Sequence, residues 1–110
     1  MIAVIATLRV KSGMTEEFET LFCKLAAQVR TDENGNVAYQ LCRSRTEADT
    51  YKVLEVYRDE EALEAHRASE HFQAAGPGLG SVLSGRPEIE LLDAIGDLEG
   101  AQWHGSISSK

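Results

Sequence analysis

The side chains in this sequence that offer chemistry are few: three histidines, three tyrosines and a carboxylate, Glu55, that alternates with Tyr51, Val53 and Tyr57. His66 and His71 stand close together in the run His66-Arg67-Ala68-Ser69-Glu70-His71-Phe72. An imidazole takes or gives a proton near neutral pH, which makes His66 the candidate general base. The competing reading is a core histidine satisfied by a backbone carbonyl or by Glu70, its neighbour four residues on. His71, five residues on, points roughly 140° away from His66 on a regular helix, so the two do not grip one ion. The run also lacks the HExxH spacing and no third ligand stands out, so no metal is expected. Glu55 shares its strand face with Tyr51 and Tyr57. If that face is buried between subunits, Glu55 holds its proton to a higher pH and orients His66 or a substrate hydroxyl; if it is open, Glu55 is a solvated strand residue.

Tyr39, Tyr51 and Tyr57 either line a pocket that accepts aromatic molecules or fill the core. Ser69 can donate a hydrogen bond into such a pocket. Phe72 reads as a packing residue and His71 as a positive charge at a helix C-terminus. There is no nucleophile elbow, Cys42 has no evident base partner, and the stretch Gly76-Pro77-Gly78-Leu79-Gly80 fits no phosphate-binding loop.

The elements that must position these groups are legible from periodicity. Ile2 to Val10 alternates as a strand, with Ile2, Val4, Ala6, Leu8 and Val10 on the core face. After the turn Lys11-Ser12-Gly13, Thr15 is the expected N-cap of a helix reaching about Arg30, with Glu16 and Glu17 in its first turn. Phe18, Leu21, Phe22, Leu25 and Val29 form its apolar stripe. Asp32 to Asn36 stops that helix. Val37 to Cys42 and Tyr51 to Tyr57 are expected to pair as a hairpin across the polar connection Arg43 to Asp49. Asp59 caps a second helix that gathers Ala62, Ala65, His66 and Ser69 toward one face and ends at Gly76, Pro77, Gly78 and Gly80. A short turn over Ser81 to Ser84 and a last strand from Pro87 to Leu92 follow.

That order predicts an α+β, ferredoxin-like βαββαβ fold: a four-stranded antiparallel sheet with two helices on one face. The face without helices, assigned Ile5, Tyr51, Val53 and Tyr57 or their alternates, needs cover, and a homodimer packed sheet to sheet supplies it. Residues 1–95 are expected to form the one domain, and 96–110 an irregular tail, anchored through Trp103 on a neighbouring surface.

Composition narrows the classes. Eighteen acidic against eleven scattered basic residues give a formal charge of -7, which argues against nucleic acid. No run approaches the ~20 apolar residues of a membrane span. Met1 to Val10 lacks a basic lead and reads as a strand rather than a signal peptide. Cys23 and Cys42 are too few and too far apart for a disulfide framework or a zinc site, so reduced thiols and a cytoplasmic location are expected.

The stretch VLEVYRDEEALEAHRASEHF, Val53 to Phe72, resembles the signature of the antibiotic biosynthesis monooxygenase-like family, whose relatives include quinol monooxygenases and the autoinducer-2 degradation isomerase. The resemblance spans from IAVIATLRVKSGMTEEF through SVLSGRP and stops after about Ile95. Its most specific part is Glu55 and Tyr57, then Glu61-Ala62-Leu63, His66, Ser69, His71 and Phe72. It implies a dimeric α+β barrel that oxidises dihydroxy aromatic or polyketide substrates with O2 and no cofactor, neither metal, haem nor flavin. Carried onto this chain, it implies His66 as base or orienter, Glu55 as its partner, and Tyr57 with His71 as donors. Ser69, Phe72, Tyr39 and Tyr51 are then the residues expected around the substrate. Tyr57 stands where many members have tryptophan, and the first strand has no asparagine, Thr7 being its nearest polar residue. This disfavours the haem-degrading branch, and the tyrosine with HRASEHF looks closer to the isomerase branch. The expected function is a cofactor-independent monooxygenase of a quinol-like or polycyclic aromatic. One alternative is an isomerase of a small phosphorylated ketone, which needs Arg43, Arg58 or Arg67 turned inward. The other is a non-catalytic dimeric ligand-binding module.

Overall fold

A computed structural model describes residues 1–96 of the chain, so the expectation for Trp103 and nearly all of the tail lies outside the described residues. The elements run β1 (Ile2–Arg9), α1 (Thr15–Asp32), β2 (Asn36–Arg43), β3 (Thr50–Tyr57), α2 (Glu60–Ala68), α3 (Glu70–Val82) and β4 (Glu88–Asp93). The strands form one antiparallel sheet in the order β2-β3-β1-β4, the ferredoxin-like arrangement.

The periodicity of α1 translates directly into packing. Phe18, Phe22, Leu25 and Val29 bury against Ala6, Leu8, Tyr39, Tyr51 and Val53 of the sheet. The Phe18 and Tyr51 rings lie 4.7 Å apart, and Phe22 stacks on Tyr39 at 5.8 Å. Gly13, at φ +82°, makes the turn into α1, a conformation that costs a residue without Cβ little. The helix N-cap is Met14 rather than Thr15, which is the first helical residue and makes no capping bond.

Which face of β3 the helices cover differs from expectation. Ile2, Val4, Ala6 and Leu8 lie opposite Tyr57, Glu55, Val53 and Tyr51, so those β3 residues share the helix-covered core face. The open face instead carries the alternates: Ala3, Ile5, Thr7, Lys52, Leu54, Val56 and Leu92, with Glu88 and Glu90 along its β4 edge. Both faces of β3 are largely apolar, so alternation alone does not say which of them the helices cover.

The second helix also differs. It splits at Ser69 into α2 and α3, so the described residues form three helices. Gly76, Pro77, Gly78 and Gly80 lie inside α3 instead of ending it, and the helix continues through Ser81 to Val82. Pro77 removes one backbone hydrogen bond. Against that, α3 lays Phe72, Ala75 and Leu79 on the core, and Gly78 approaches the Leu21 side chain. Tertiary packing overrides the local breaker signals here. Beyond α3, Leu83 bridges Val10 and the Ser84 N–H donates to the carbonyl of Arg9. Among the described residues no helix is long and apolar enough to cross a membrane.

Candidate functional site

The site begins at the end of α1. Asn34 and Gly35 turn the chain, and Glu33 becomes the C-cap in an extended conformation, φ -106° and ψ 103°, with its N–H returned to the Val29 carbonyl. A Cβ on Gly35 would sit 2.4 Å from the Cβ of Ala62, so glycine lets this turn lie directly on α2. α2 itself starts where predicted, with the Asp59 carboxylate accepting the Ala62 N–H at 2.8 Å.

The decisive local feature is Ser69. Its backbone turns extended at φ -68°, ψ 149°, its hydroxyl donates to the His66 carbonyl at 2.7 Å, and the same oxygen accepts the Phe72 N–H at 3.3 Å. One serine therefore ends α2 and caps α3. The helical phase restarts, and His71, instead of pointing away from His66 as on a continuous helix, converges with it on Glu33. His66 Nδ1 lies 2.9 Å and 3.2 Å from the two Glu33 oxygens, and His71 Nε2 lies 2.5 Å from Oε2. The three side chains are nearly withdrawn from water, at 4% for His66, 10% for Glu33 and 13% for His71. They offer three metal-ligand-type atoms within 4.8 Å of one another. The expectation that His66 and His71 cannot address one ion rested on a regular helix and is corrected by this break. His71 opens α3 rather than ending a helix, which corrects its reading as a C-terminal charge.

His66 also lines a cavity of about 610 Å³ between the sheet and the helices. Val4, Ala6, Phe22, Leu25, Val53 and Leu79 give it apolar walls. Tyr39, Glu55 and His66 are the polar groups set among them, with Arg67 and Gln73 also lining it. The cavity therefore lies inside one chain, not between the sheets of two, because the Glu55 face of β3 is the one the helices cover. The His66 ring is fixed by Tyr39, Tyr57 and Phe72, at 5.3, 5.4 and 4.6 Å between centroids.

Of the residues singled out from the sequence, Tyr39, Glu55, His66 and Phe72 line the cavity, whereas Tyr51, Tyr57, Ser69 and His71 do not. Tyr57 stands behind Glu55 and donates to its Oε1 at 2.7 Å. Tyr51 donates to Glu19, and Ser69 is spent on backbone groups. The carboxylate bonded to His66 is Glu33, in place of Glu55 or Glu70. Glu33 escaped the sequence reading because it sits in a polar stop signal. Its one clue is a negative charge at a helix C-terminus, where the macrodipole opposes it unless partners compensate.

Burial sets the electrostatics. It pushes the Glu55 carboxyl up to about 7, with the Tyr57 hydrogen bond pulling the other way and the Glu33 charge adding to the rise. Burial also lowers His66 below its usual 6.5, against the pull of Glu33. The Tyr39 and Tyr57 hydroxyls are held far above the ordinary phenol range by desolvation, then by nearby carboxylates. A carboxyl and an imidazole are thus both biased toward their neutral forms within one apolar chamber.

The model of the family described as antibiotic biosynthesis monooxygenase matches residues 1–77. YcnE of Bacillus subtilis (strain 168), provisionally named a monooxygenase, is 36% identical over 73 residues, which is 66% of this chain and 76% of that protein. A solved structure from Caulobacter crescentus CB15, provisionally described as an antibiotic biosynthesis monooxygenase, is 46% identical with a TM-score of 0.84. The match covers 86% of this chain and 90% of that one. SnoaB of Streptomyces nogalater, described as a cofactor-independent oxygenase and solved as a variant, is 24% identical with a TM-score of 0.74. It covers 88% and 95% of the two chains and is a likeness of fold.

Proposed function

The chain belongs to the antibiotic biosynthesis monooxygenase family, and on that premise we propose that it is a cofactor-independent monooxygenase of a quinol-like or polycyclic aromatic. The observation that carries this reading is the 610 Å³ apolar cavity with an oriented imidazole in its wall. It has the size and character of a small-molecule site. An ionised Glu33 only accepts hydrogen bonds, so His66 carries its proton on Nδ1 and leaves the Nε2 lone pair as the basic atom. The lowered pKa of His66 keeps that base free at neutral pH.

His66 takes a hydroxyl proton from the substrate, and the electron-rich anion passes one electron to O2. The two radicals join as a carbon-bound peroxide. The O–O bond then breaks, one oxygen stays on carbon and the other leaves as water, so quinol plus O2 gives hydroxyquinone plus water. Glu55, its pKa pushed up to about 7 by burial, keeps a proton to donate as a hydrogen bond to the oxyanion or peroxide, and Tyr57 holds its other oxygen. We assign the open sheet face to a second copy of the chain, and the free thiols Cys23 and Cys42 fit a reducing, cytoplasmic setting.

The phosphorylated-ketone alternative has less support. Of Arg43, Arg58 and Arg67, Arg67 alone lines the cavity, and it is paired with Glu64; Arg43 is paired with Glu19. Oxygen uptake with a panel of quinols and anthrone-type phenols is the test. One O2 should be consumed per product formed, and His66→Ala should lower kcat about 10²-fold or more. No uptake with any of them, alongside turnover of a phosphorylated ketone, establishes the isomerase instead; silence with both favours a binding module.

A further inference from the structure

We propose that Glu33, His66 and His71 bind one divalent ion of the zinc or cobalt class, and that the ion, once bound, turns His66 from a base into a hydrogen-bond donor. Two imidazoles and a carboxylate are a donor set suited to such ions. Metal–ligand bonds of about 2.0–2.2 Å at a tetrahedral angle place donor atoms about 3.3–3.6 Å apart. The separations of 2.9 and 3.2 Å from His66 and 2.5 Å from His71 to the Glu33 oxygens are those of direct hydrogen bonds, and with the three donor atoms all within 4.8 Å of one another, shifts of about an ångström or less let them close on one ion. The three groups come from three segments held independently: Glu33 by the Gly35 turn on Ala62, His66 by its ring of aromatics, and His71 by the Ser69 cap. Such anchoring lowers the ordering cost of ligation. Slight exposure of Glu33 and His71 leaves a way in from solvent.

His66 lines the cavity whereas Glu33 and His71 do not, so the ion is held outside the cavity lining. A substrate in the cavity does not reach the metal, so the effect is transmitted through the imidazole. Free of metal, His66 carries its proton on Nδ1, toward Glu33. Ligation through Nδ1 requires the neutral ring to carry that proton on Nε2. The atom facing the substrate then gives a hydrogen bond and no longer takes a proton. This consequence for turnover rests on the proposed base role of His66; the binding site itself does not.

The test uses the full-length, tag-free protein titrated with Zn²⁺ in competition with a chromogenic chelator. Wild type and a Cys23→Ser/Cys42→Ser double variant should each bind one ion per chain. Glu33→Gln should weaken binding by at least about tenfold, and His71→Ala should abolish it. His71→Gln, which keeps a hydrogen bond to Glu33, replaces His71→Ala if circular dichroism shows the latter unfolded. Long-range proton–nitrogen spectra of ¹⁵N-labelled protein should show His66 passing from the Nδ1–H to the Nε2–H tautomer. Zinc should also suppress oxygen uptake in wild type, reversibly with EDTA, and spare the His71 variant. Binding that survives in the His71 variants, that depends on the cysteines, or that is no tighter than theirs overturns the site. Site binding without the tautomer change, or without loss of turnover in an active enzyme, overturns the switch. If no substrate is oxidised, the binding and tautomer measurements still decide the site, so its failure is distinct from failure of the monooxygenase reading.

Discussion

At the scale of single residues the site is a set of proton positions, and two of them are open to direct test. Glu55 is buried, and its pKa rises from the ordinary 4.5 to about 7 chiefly through desolvation. Between those values the folded state binds more protons than the unfolded one, so stability falls as pH rises, the opposite of a salt-bridged carboxylate. The shift corresponds to about 3 kcal/mol at most. Glu55→Gln carries no charge at any pH. Its stability relative to wild type should therefore improve by up to that amount between pH 5 and pH 8, measured by urea unfolding. A difference that is the same at both pH values would remove Glu55 as a protonated group in this window. His66, lowered by burial, acts in the other direction, losing stability as pH falls below about 6.5, and it is common to both proteins in the comparison. Glu33 works through His66 and touches no part of the cavity, so it is a positioning residue. Glu33→Gln should lower kcat about tenfold or more while KM stays near wild type, because the tautomer is no longer fixed by a charge. A change confined to KM would mean that Glu33 shapes the pocket instead.

At the scale of elements, what positions these groups is the contact between the α1–β2 turn and α2. Gly35→Ala drives a Cβ to within 2.4 Å of the Ala62 Cβ, and neither atom can rotate away. The expected loss is about 1–3 kcal/mol. Ala62→Gly in the same chain should recover part of it despite its own helix penalty of about 1 kcal/mol. The measurement is a double-mutant cycle by chemical denaturation; strictly additive losses would place the Gly35 effect elsewhere. The elements themselves were mostly legible in the sequence, since the stripe from Phe18 to Val29 and the alternation in β1 and β2 are burial patterns with one solution each. β3 was not, because Tyr51 and Val53 on one face are matched by Leu54 and Val56 on the other. The break at Ser69 lacks proline or glycine and shows only as a serine followed by Glu70, a weak capping signal inside a helical run. Missing it separated His66 from His71 and hid Glu33. The louder signals at Gly76 to Gly80 pointed to a helix end that packing on α1 overrules.

At the scale of the whole molecule, the helices cover one face of the sheet except at β4, where Ile89 and Leu91 stay 55% exposed, and leave the other with Ala3 beside Val56 and Leu92, and Ile5 between Leu54 and Glu90. Leu54 and Leu92 are 44% and 38% exposed in the single chain. Contiguous apolar surface at the centre of a sheet is a poor solvent face and a good partner for its own copy, since a two-fold axis brings identical patches together. Wild type should therefore run at twice its 12.1 kDa mass by light scattering. Leu54→Lys places a charge at the middle of that face, where desolvation opposes association, yet in the monomer the lysine remains in water. It should give a folded monomer. The cavity is already formed within the single chain, so that monomer should keep the His66 tautomer and retain oxygen uptake, with lower stability than the dimer. A wild-type mass of a single chain would remove the second copy. A Leu54→Lys monomer that is folded but inactive would instead show that the partner completes the site across the sheet.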